Sequence, residues 1–266
     1  MSALTTAASD GFVVTKRNLI KVKRIPDLLI FTTIQPIMFV LLFAYVFGGA
    51  IAVKGGHYVE FLMGGIFVQT LAFGSAITAV GLADDLQKGI IDRFRSLPMS
   101  RSAVLVGRTT SDLANNVIVL VVMSICGLIV GWRTHRGFGY VLAGYLLMLF
   151  FAYAMSWVSA VIGLSVRSVE VAQSAGFIWL FPLTFLSNAF VPLETLPGWL
   201  QPIAEWNPIT AVVAAVRLLF GNTNGAPPQD NFPAHHPVLM SLVWSFGLLV
   251  VFVPLAVRKY RAAAAR

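Results

Sequence analysis

Residues 84–101 read Asp-Asp-Leu-Gln-Lys-Gly-Ile-Ile-Asp-Arg-Phe-Arg-Ser-Leu-Pro-Met-Ser-Arg, a charged stretch between two long apolar runs. Ile90, Phe94 and Leu97 follow at the spacing i, i+4 and i+7, so a helix places them on one face. Pro98 ends that helix, because its ring cannot continue the hydrogen-bond pattern. The stretch is therefore predicted to be a small amphipathic helix that hangs from two membrane spans and plugs into another protein.

The composition predicts a membrane protein. The chain has 266 residues, of which 58% are apolar and 11% are charged, whereas a soluble domain carries roughly 25% charged residues. Each charge-free apolar run meets the roughly 20 residues needed to cross a bilayer. These runs predict six spans in an all-α integral membrane protein: Leu28–Val53, Phe61–Ala83, Leu113–Trp132, Phe138–Val166, Val171–Leu193 and Val238–Val257.

The positions of the basic residues predict the orientation. Fifteen of the 19 Lys and Arg residues lie on the side that carries both termini and the loop 84–108. Because basic residues concentrate in cytoplasmic loops, that side is predicted to be cytoplasmic. The same clustering argues against a nucleic-acid partner, although the net charge is +8. The other four basic residues are assigned to the outer side: Lys54, Arg133, Arg136 and Arg217.

Residues 28–257 are predicted to form one transmembrane domain with a polar segment at each end. Residues 1–27 form a cytoplasmic tail with an amphipathic helix, whose apolar arc includes Phe12 and Leu19 and which lies on the membrane surface as a connecting helix. Pro26 ends this helix before the first span. Residues 258–266 form a basic cytoplasmic tail.

Residues 191–220 are too apolar for a free loop, yet prolines interrupt them repeatedly. Short re-entrant helices in the outer leaflet satisfy both observations, provided that protein or water covers their backbone. The positions that define this outer re-entrant segment are Pro192, Pro197, Gly198, Trp199, Asn207, Pro208 and Arg217.

The sequence argues against an enzyme. Gly163-Leu164-Ser165 is only superficially like a rhomboid serine motif, and the last span contains no histidine to accompany it. There is no His-Glu-x-x-His motif and no Gly-x-x-x-x-Gly-Lys phosphate loop. The six runs contain no charge of the kind that ion-coupled carriers place at mid-membrane. We therefore expect no catalytic residue, no metal site and an energy source outside this chain.

Two regions resemble ABC-2 type exporter permeases, most nearly the daunorubicin-resistance branch. The first is the cytoplasmic loop 88–101, followed by Gly107-Arg108 and Asp112. The second comprises Phe190-Val191-Pro192, Leu196-Pro197-Gly198-Trp199-Leu200, Asn207-Pro208-Ile209-Thr210 and Arg217. The likeness covers essentially the whole chain, and the two regions occur in the order that the family shows.

The resemblance implies an exporter in a bacterial plasma membrane. Two permeases, identical or homologous, form the pathway, and two ABC ATPase subunits bind ATP and Mg²⁺, while this chain binds no cofactor itself. The implied cargo is a hydrophobic or amphipathic small molecule, such as a drug, an antibiotic or a lipid-like compound. A polysaccharide or lipid-linked glycan is the alternative cargo, and a non-transporting scaffold or an intramembrane protease are remote alternatives.

The resemblance also assigns roles to residues. Arg167 and Glu170 are expected to form a second, weaker cytoplasmic contact with the ATPase. Among the polar side chains of the spans, Gln69, Thr184 and Asn188 are expected to face the transport route. The alternative for the polar island is a surface helix that lies on anionic lipid headgroups. The predicted coupling helix contains Lys88, Gly89, Ile90, Ile91, Asp92, Arg93, Phe94, Arg95, Leu97 and Pro98.

Overall fold

A computed structural model of the chain describes residues 26–47, 58–89, 103–223 and 230–263. All the regular structure within these ranges is helical, which confirms the all-α prediction. Helix α1 continues as a π-helical stretch, Leu42–Phe47, and a 3₁₀ turn, Leu193–Thr195, follows α6. The helices are α1 (Pro26–Leu41), α2 (Tyr58–Gly74), α3 (Ala76–Gln87), α4 (Ala103–Val130), α5 (Phe138–Gly163), α6 (Val169–Phe185), α7 (Gln201–Glu205), α8 (Pro208–Phe220), α9 (Phe232–His235) and α10 (Pro237–Ala263).

Four helical stretches are long and apolar enough to cross a membrane. They coincide with the predicted spans two, three, four and six: Tyr58–Gln87, Leu105–Val130, Phe138–Gly163 and Pro237–Ala262. The helices at the predicted first and fifth spans are shorter. Helix α6 has 17 residues and therefore rises about 26 Å, slightly less than a hydrocarbon core of about 30 Å.

Several boundaries differ from those predicted. Helix α3 continues to Gln87 and α4 begins at Ala103, so the predicted loop 84–108 narrows to residues 88–102. Helix α6 ends at Phe185 rather than near Leu193, and the Pro182 carbonyl accepts the last backbone bond, from the Leu186 N–H. Residues 258–263 continue α10 rather than forming a separate tail. The predicted surface helix of residues 1–27 lies almost wholly outside the described residues.

Helix α5 is the centre of the bundle and packs against α2, α3, α4, α8 and α10. Its Phe151 belongs to a core that also buries Phe67, Trp132 and Phe220. Phe67 and Trp132 meet edge to face with ring centroids 5.3 Å apart, a geometry that aromatic pairs favour. A second buried cluster, which includes Trp157, lies towards the other end of α5.

One close approach joins the non-helical segment after α6 to the middle of α2. A Cβ atom at Gly65 would collide with the backbone carbonyl oxygen of Ala189. Since backbone cannot move aside as a flexible side-chain end can, only glycine at position 65 allows the segment to lie directly against α2. This contact fixes the position of the outer segment on the bundle.

We predict that Gly65→Ala lowers the free energy of unfolding by about 1–3 kcal/mol, because the added methyl group overpacks this contact. Thermal unfolding of the purified protein in detergent measures the change. The matched control is Gly247→Ala on α10, where a Cβ atom meets nothing within 4 Å. Equal unfolding temperatures for the two variants would contradict the close approach.

Candidate functional site

A cavity of about 340 Å³ lies between α1, the α2–α3 pair, α4 and α6. Its α4 residues, Asn115, Asn116 and Val119, lie near the middle of that helix. Phe39, Phe73 and Phe177 form much of its apolar wall. Its polar lining consists of Gln35, Gln69, Thr70, Asn115, Asn116 and Gln173.

The cavity contains one of the three residues predicted to face a transport route. Gln69 lines it and is buried. Thr184 and Asn188 lie elsewhere, beside the non-helical segment that follows α6. In the described part of the chain, the Thr184 hydroxyl and the Asn188 side-chain oxygen have no hydrogen-bond partner. The structure therefore does not bring the three residues together in one site.

Arg108 joins α3 to α4 at the end of the bundle near residues 88–102. Its Nη1 lies 3.8 Å from Asp85 Oδ2, and its Nε lies 3.7 Å from Asp112 Oδ2. Its Nη2 donates to the carbonyl oxygen of Ile77 at 3.4 Å. The Thr78 hydroxyl also donates to Asp112, at 2.6 Å. Because these charges are largely removed from water, their attraction is stronger than at an exposed surface.

Gly81 provides the space for this junction. A Cβ atom at position 81 would collide with the guanidinium of Arg108. The absence of a side chain lets Arg108 lie across the backbone of α3 and reach Asp85. Helices α3 and α4, which flank the predicted coupling segment, are thus held together at its two ends.

The predicted ATPase contacts emerge at the same end of the bundle. Gln87 Nε2 donates to the carbonyl oxygen of Arg167 at 3.3 Å, so the α5–α6 turn lies beside the end of α3. Lys88 pairs with Asp84 at 2.7 Å on the surface. Gly89, with φ of +62°, closes α3 in the left-handed region. Glu170 is exposed in the first turn of α6, and the predicted coupling residues Ile90–Pro98 lie outside the described residues.

Arg217 anchors the outer segment. Its side chain is 6% exposed, although the sequence placed it among the outer-side loop charges. Its Nε donates to the carbonyl oxygen of Phe61 at 2.8 Å, and its Nη2 donates to those of Asn188 and Ala189 at 2.9 and 3.2 Å. The guanidinium carbon also lies 3.5 Å from the centroid of the Phe61 ring. One side chain thereby connects α8, α2 and the segment after α6.

Two further side chains satisfy carbonyl groups released where α6 ends. Asn207 Nδ2 donates to the carbonyl oxygens of Leu183 and Leu186, each at 2.7 Å. The Tyr58 hydroxyl donates to the carbonyl oxygen of Phe190 at 3.2 Å. Backbone groups at membrane depth require partners within the protein, because lipid offers none. The structure therefore explains how the helix can break at Phe185.

The remaining predicted positions of the outer segment lie in the connection between α6 and α8. The Asn207 side chain also caps α8 by accepting from the Ile209 N–H at 2.8 Å, with Pro208 as the first helical residue. Pro192 precedes the 3₁₀ turn, and the Pro197 carbonyl accepts from the Leu200 N–H at 2.8 Å. Trp199, next to Gly198, is exposed.

The sequence did not reveal the roles of two residues, Gln173 and Arg108. Gln173 was read as part of a span, and its place in the cavity depends on how α6 packs. Arg108 was placed in a loop, but its i, i+4 spacing to Asp112 just before an apolar run is a signal for an intrahelical pair.

The long apolar helices define a multi-pass membrane protein. The profile of the ABC-2 type transporter family matches residues 10–220. The chain therefore belongs to the ABC-2 type transporter family.

The relatives of this chain include permeases of drug-resistance exporters. The daunorubicin resistance ABC transporter permease protein DrrB1 of Streptomyces coeruleorubidus is 35% identical over 259 residues, which cover 97% of this chain and 88% of that protein. A probable doxorubicin resistance ABC transporter permease protein, DrrC of Mycobacterium tuberculosis, is 27% identical over 73% of this chain and 69% of its own. A putative transport permease, ycf38 of Cyanophora paradoxa, is 26% identical over 80% and 74% of the two chains.

We predict that Arg217→Lys lowers the free energy of unfolding by about 1.5–3 kcal/mol, because an ammonium group cannot replace the fork that reaches three carbonyl oxygens. The apparent unfolding temperature in detergent measures the loss. Arg133→Lys is the matched control, since Arg133 is exposed and its side chain donates to the nearby carbonyls of Leu128 and Trp132. A wild-type unfolding temperature for Arg217→Lys would show that Arg217 is not an anchor.

Proposed function

We propose that this chain is the membrane permease subunit of an ATP-driven exporter that moves a hydrophobic or amphipathic small molecule out of a bacterial cell. A separate ABC ATPase hydrolyses ATP, and this chain supplies the pathway. Membership of the ABC-2 type transporter family supports the role. The names of two relatives, which are daunorubicin and doxorubicin resistance permeases, support a small-molecule cargo.

The single observation that carries this proposal is the path from the coupling segment to the cavity. Residues 88–102 connect α3 to α4, and both helices line the cavity, through Ile77 and Val80 on α3 and Asn115 and Val119 on α4. Arg108 joins the two helices between the segment and the cavity. A displacement of the segment by an ATPase therefore moves two cavity walls together, which is the arrangement that alternating access requires.

In this proposal the chain crosses the bacterial plasma membrane six times, with α1 and α6 completing the set of spans and both termini in the cytoplasm. Residues 191–220 enter the outer leaflet and return. Two contacts of α8 support the return: Asn207 at its start bonds to carbonyl groups near the end of α6, and the Phe220 carbonyl at its end accepts from the His135 N–H at 2.8 Å. His135 lies in the predicted outer loop between α4 and α5.

The proposed assembly has two copies of the ATPase, which bind ATP and Mg²⁺, and a second permease that is identical or homologous. Residues 90–98 form the coupling helix that seats in the ATPase, and Arg167 and Glu170 add the second contact. Lys88 and Gly89, which the sequence placed in that helix, form the turn that ends α3 before it. The hydrogen bond between Gln87 and Arg167 supports this pairing, because it holds both contacts at one end of the bundle. Membrane lipid covers exposed apolar side chains such as Val243, Phe246 and Val250 on α10.

The size of the cavity favours a small molecule over a polymer as the cargo. Its volume of about 340 Å³ lies at the lower end of the range of about 300–1,000 Å³ for small-molecule sites. A polysaccharide or lipid-linked glycan would need a continuous passage of greater length. We therefore place export of a glycan second.

We predict that Phe94→Asp uncouples the permease from its ATPase, because a carboxylate replaces the middle residue of the apolar stripe. Co-purification of the co-expressed ATPase should fall at least about tenfold, since a buried unpaired charge costs several kcal/mol. Phe94→Leu keeps the apolar contact and should retain most of the ATPase. Wild-type recovery with Phe94→Asp would argue for a helix that lies on lipid.

We predict that a cysteine at Lys88 reacts with a membrane-impermeant maleimide only from the cytoplasmic side, and a cysteine at Asn224 only from the outside. Both are introduced into a Cys126→Ala background, since Cys126 is the one native cysteine. Intact and permeabilised cells are compared, so each variant serves as the control for the other. The opposite pattern of labelling would invert the proposed topology.

A further inference from the structure

The polar lining of the cavity is dominated by side-chain carboxamides. Gln35 on α1, Gln69 on α2, Asn115 and Asn116 on α4, and Gln173 on α6 all contribute. Within the described residues, no ionisable side chain lines the cavity. Four different helices therefore present the same neutral functional group to one cavity.

Some of these carboxamides are removed from solvent without full compensation. Gln69 and Asn116 are 6% and 5% exposed. The side-chain oxygen of Asn115 is buried, and no described residue donates a hydrogen bond to it. Leaving a buried acceptor unpaired costs free energy. Because that oxygen has almost no accessible surface, a molecule in the cavity pairs instead with the carboxamides that are exposed, such as those of Gln35 and Gln173.

The rest of the wall limits the shape of the molecule. Phe39, Phe73 and Phe177 give the cavity flat apolar surfaces, which pack well against rings. Gln35 and Gln173 are exposed, so the mouth of the cavity lies between α1 and α6. The volume of about 340 Å³ accommodates a compact ring system rather than a chain of sugars.

Charge is the property that this lining discriminates most strongly. A carboxamide both donates and accepts hydrogen bonds, so it pairs with hydroxyl, amide and carbonyl groups alike. A charged group that enters a site without a counter-charge loses its hydration and gains no ion pair in return. The cavity is therefore matched to neutral molecules and opposes charged ones.

We infer that the cavity binds a neutral ring compound that carries an N–H or O–H donor and a carbonyl acceptor, and that it discriminates against permanently charged molecules of the same shape. The donor and the acceptor pair with carboxamides of the lining, and the rings lie against the phenylalanine side chains. This inference deepens the proposed export function, and it rests on that function only for the role of the bound molecule as cargo.

Two fluorescent three-ring probes test the inference. Acridone is neutral and carries one N–H and one carbonyl group, whereas 10-methylacridinium has nearly the same shape with a permanent positive charge. Binding is measured with the purified full-length chain in phosphatidylcholine nanodiscs, and empty nanodiscs correct for partition into lipid. We expect saturable binding of acridone and at least about tenfold weaker binding of 10-methylacridinium, because the cation finds no counter-charge.

Variants at position 115 locate the site. Asn115→Leu replaces one carboxamide of the lining with an apolar side chain and should weaken acridone binding about two- to tenfold. Val117→Leu is the matched control, because Val117 lies on the same helix and is exposed away from the cavity. Asn115→Asp supplies the missing counter-charge and should strengthen binding of 10-methylacridinium, a gain that misfolding cannot produce.

Three results would overturn the inference: no saturable binding of acridone, equal affinity for the two probes, or acridone binding by Asn115→Leu that equals that of the Val117→Leu control. Neither nucleotide nor ATPase is present in these measurements. A failure of the ATPase to co-purify would therefore contradict the exporter proposal and leave the probe results unaffected, and the reverse is also true.

Discussion

A bilayer offers no hydrogen-bond partners, so a helix that ends within it must have its released backbone groups satisfied by the protein itself. In the proposed arrangement, this constraint applies to the segment after Phe185. Asn207, Arg217 and Tyr58 donate to its carbonyl groups, and Thr210 accepts from the Asn188 N–H at 3.3 Å. A short α6 and the packing of α8 against α2 both depend on these side chains.

The described charges occupy two levels of the bundle and leave the middle neutral. Arg108, Asp85 and Asp112 form a partly buried group near the coupling segment. Arg217 forms the other, where carbonyl dipoles and an aromatic face replace a counter-ion. The carboxamide-lined cavity lies between these two levels. Separation of this kind lets charge hold the helices together at their ends without opposing a neutral molecule in the space between them.

Much of the fold can be predicted from the sequence because hydropathy is a local property. Long charge-free runs identified helices that are long enough to cross the membrane. The Asn207-Pro208 pair fits the start of α8, since asparagine caps a helix and proline fits its first position. Boundaries set by charge were less accurate. Arg108 and Asp112 were excluded from a span, although the helix extends to include them because each finds a partner across the α3–α4 contact.

The sequence by itself determined that this chain is a helical membrane protein with one polar island, because composition and the spacing of apolar residues are sufficient for both conclusions. Only the tertiary structure decided that Arg217 is buried and that five carboxamides from four helices share one cavity. It also decided that Gly65 makes room for the backbone of Ala189 and Gly81 for the guanidinium of Arg108. Periodicity shows which face of a helix is apolar. It does not show which distant residue meets that face, because that depends on how whole helices pack.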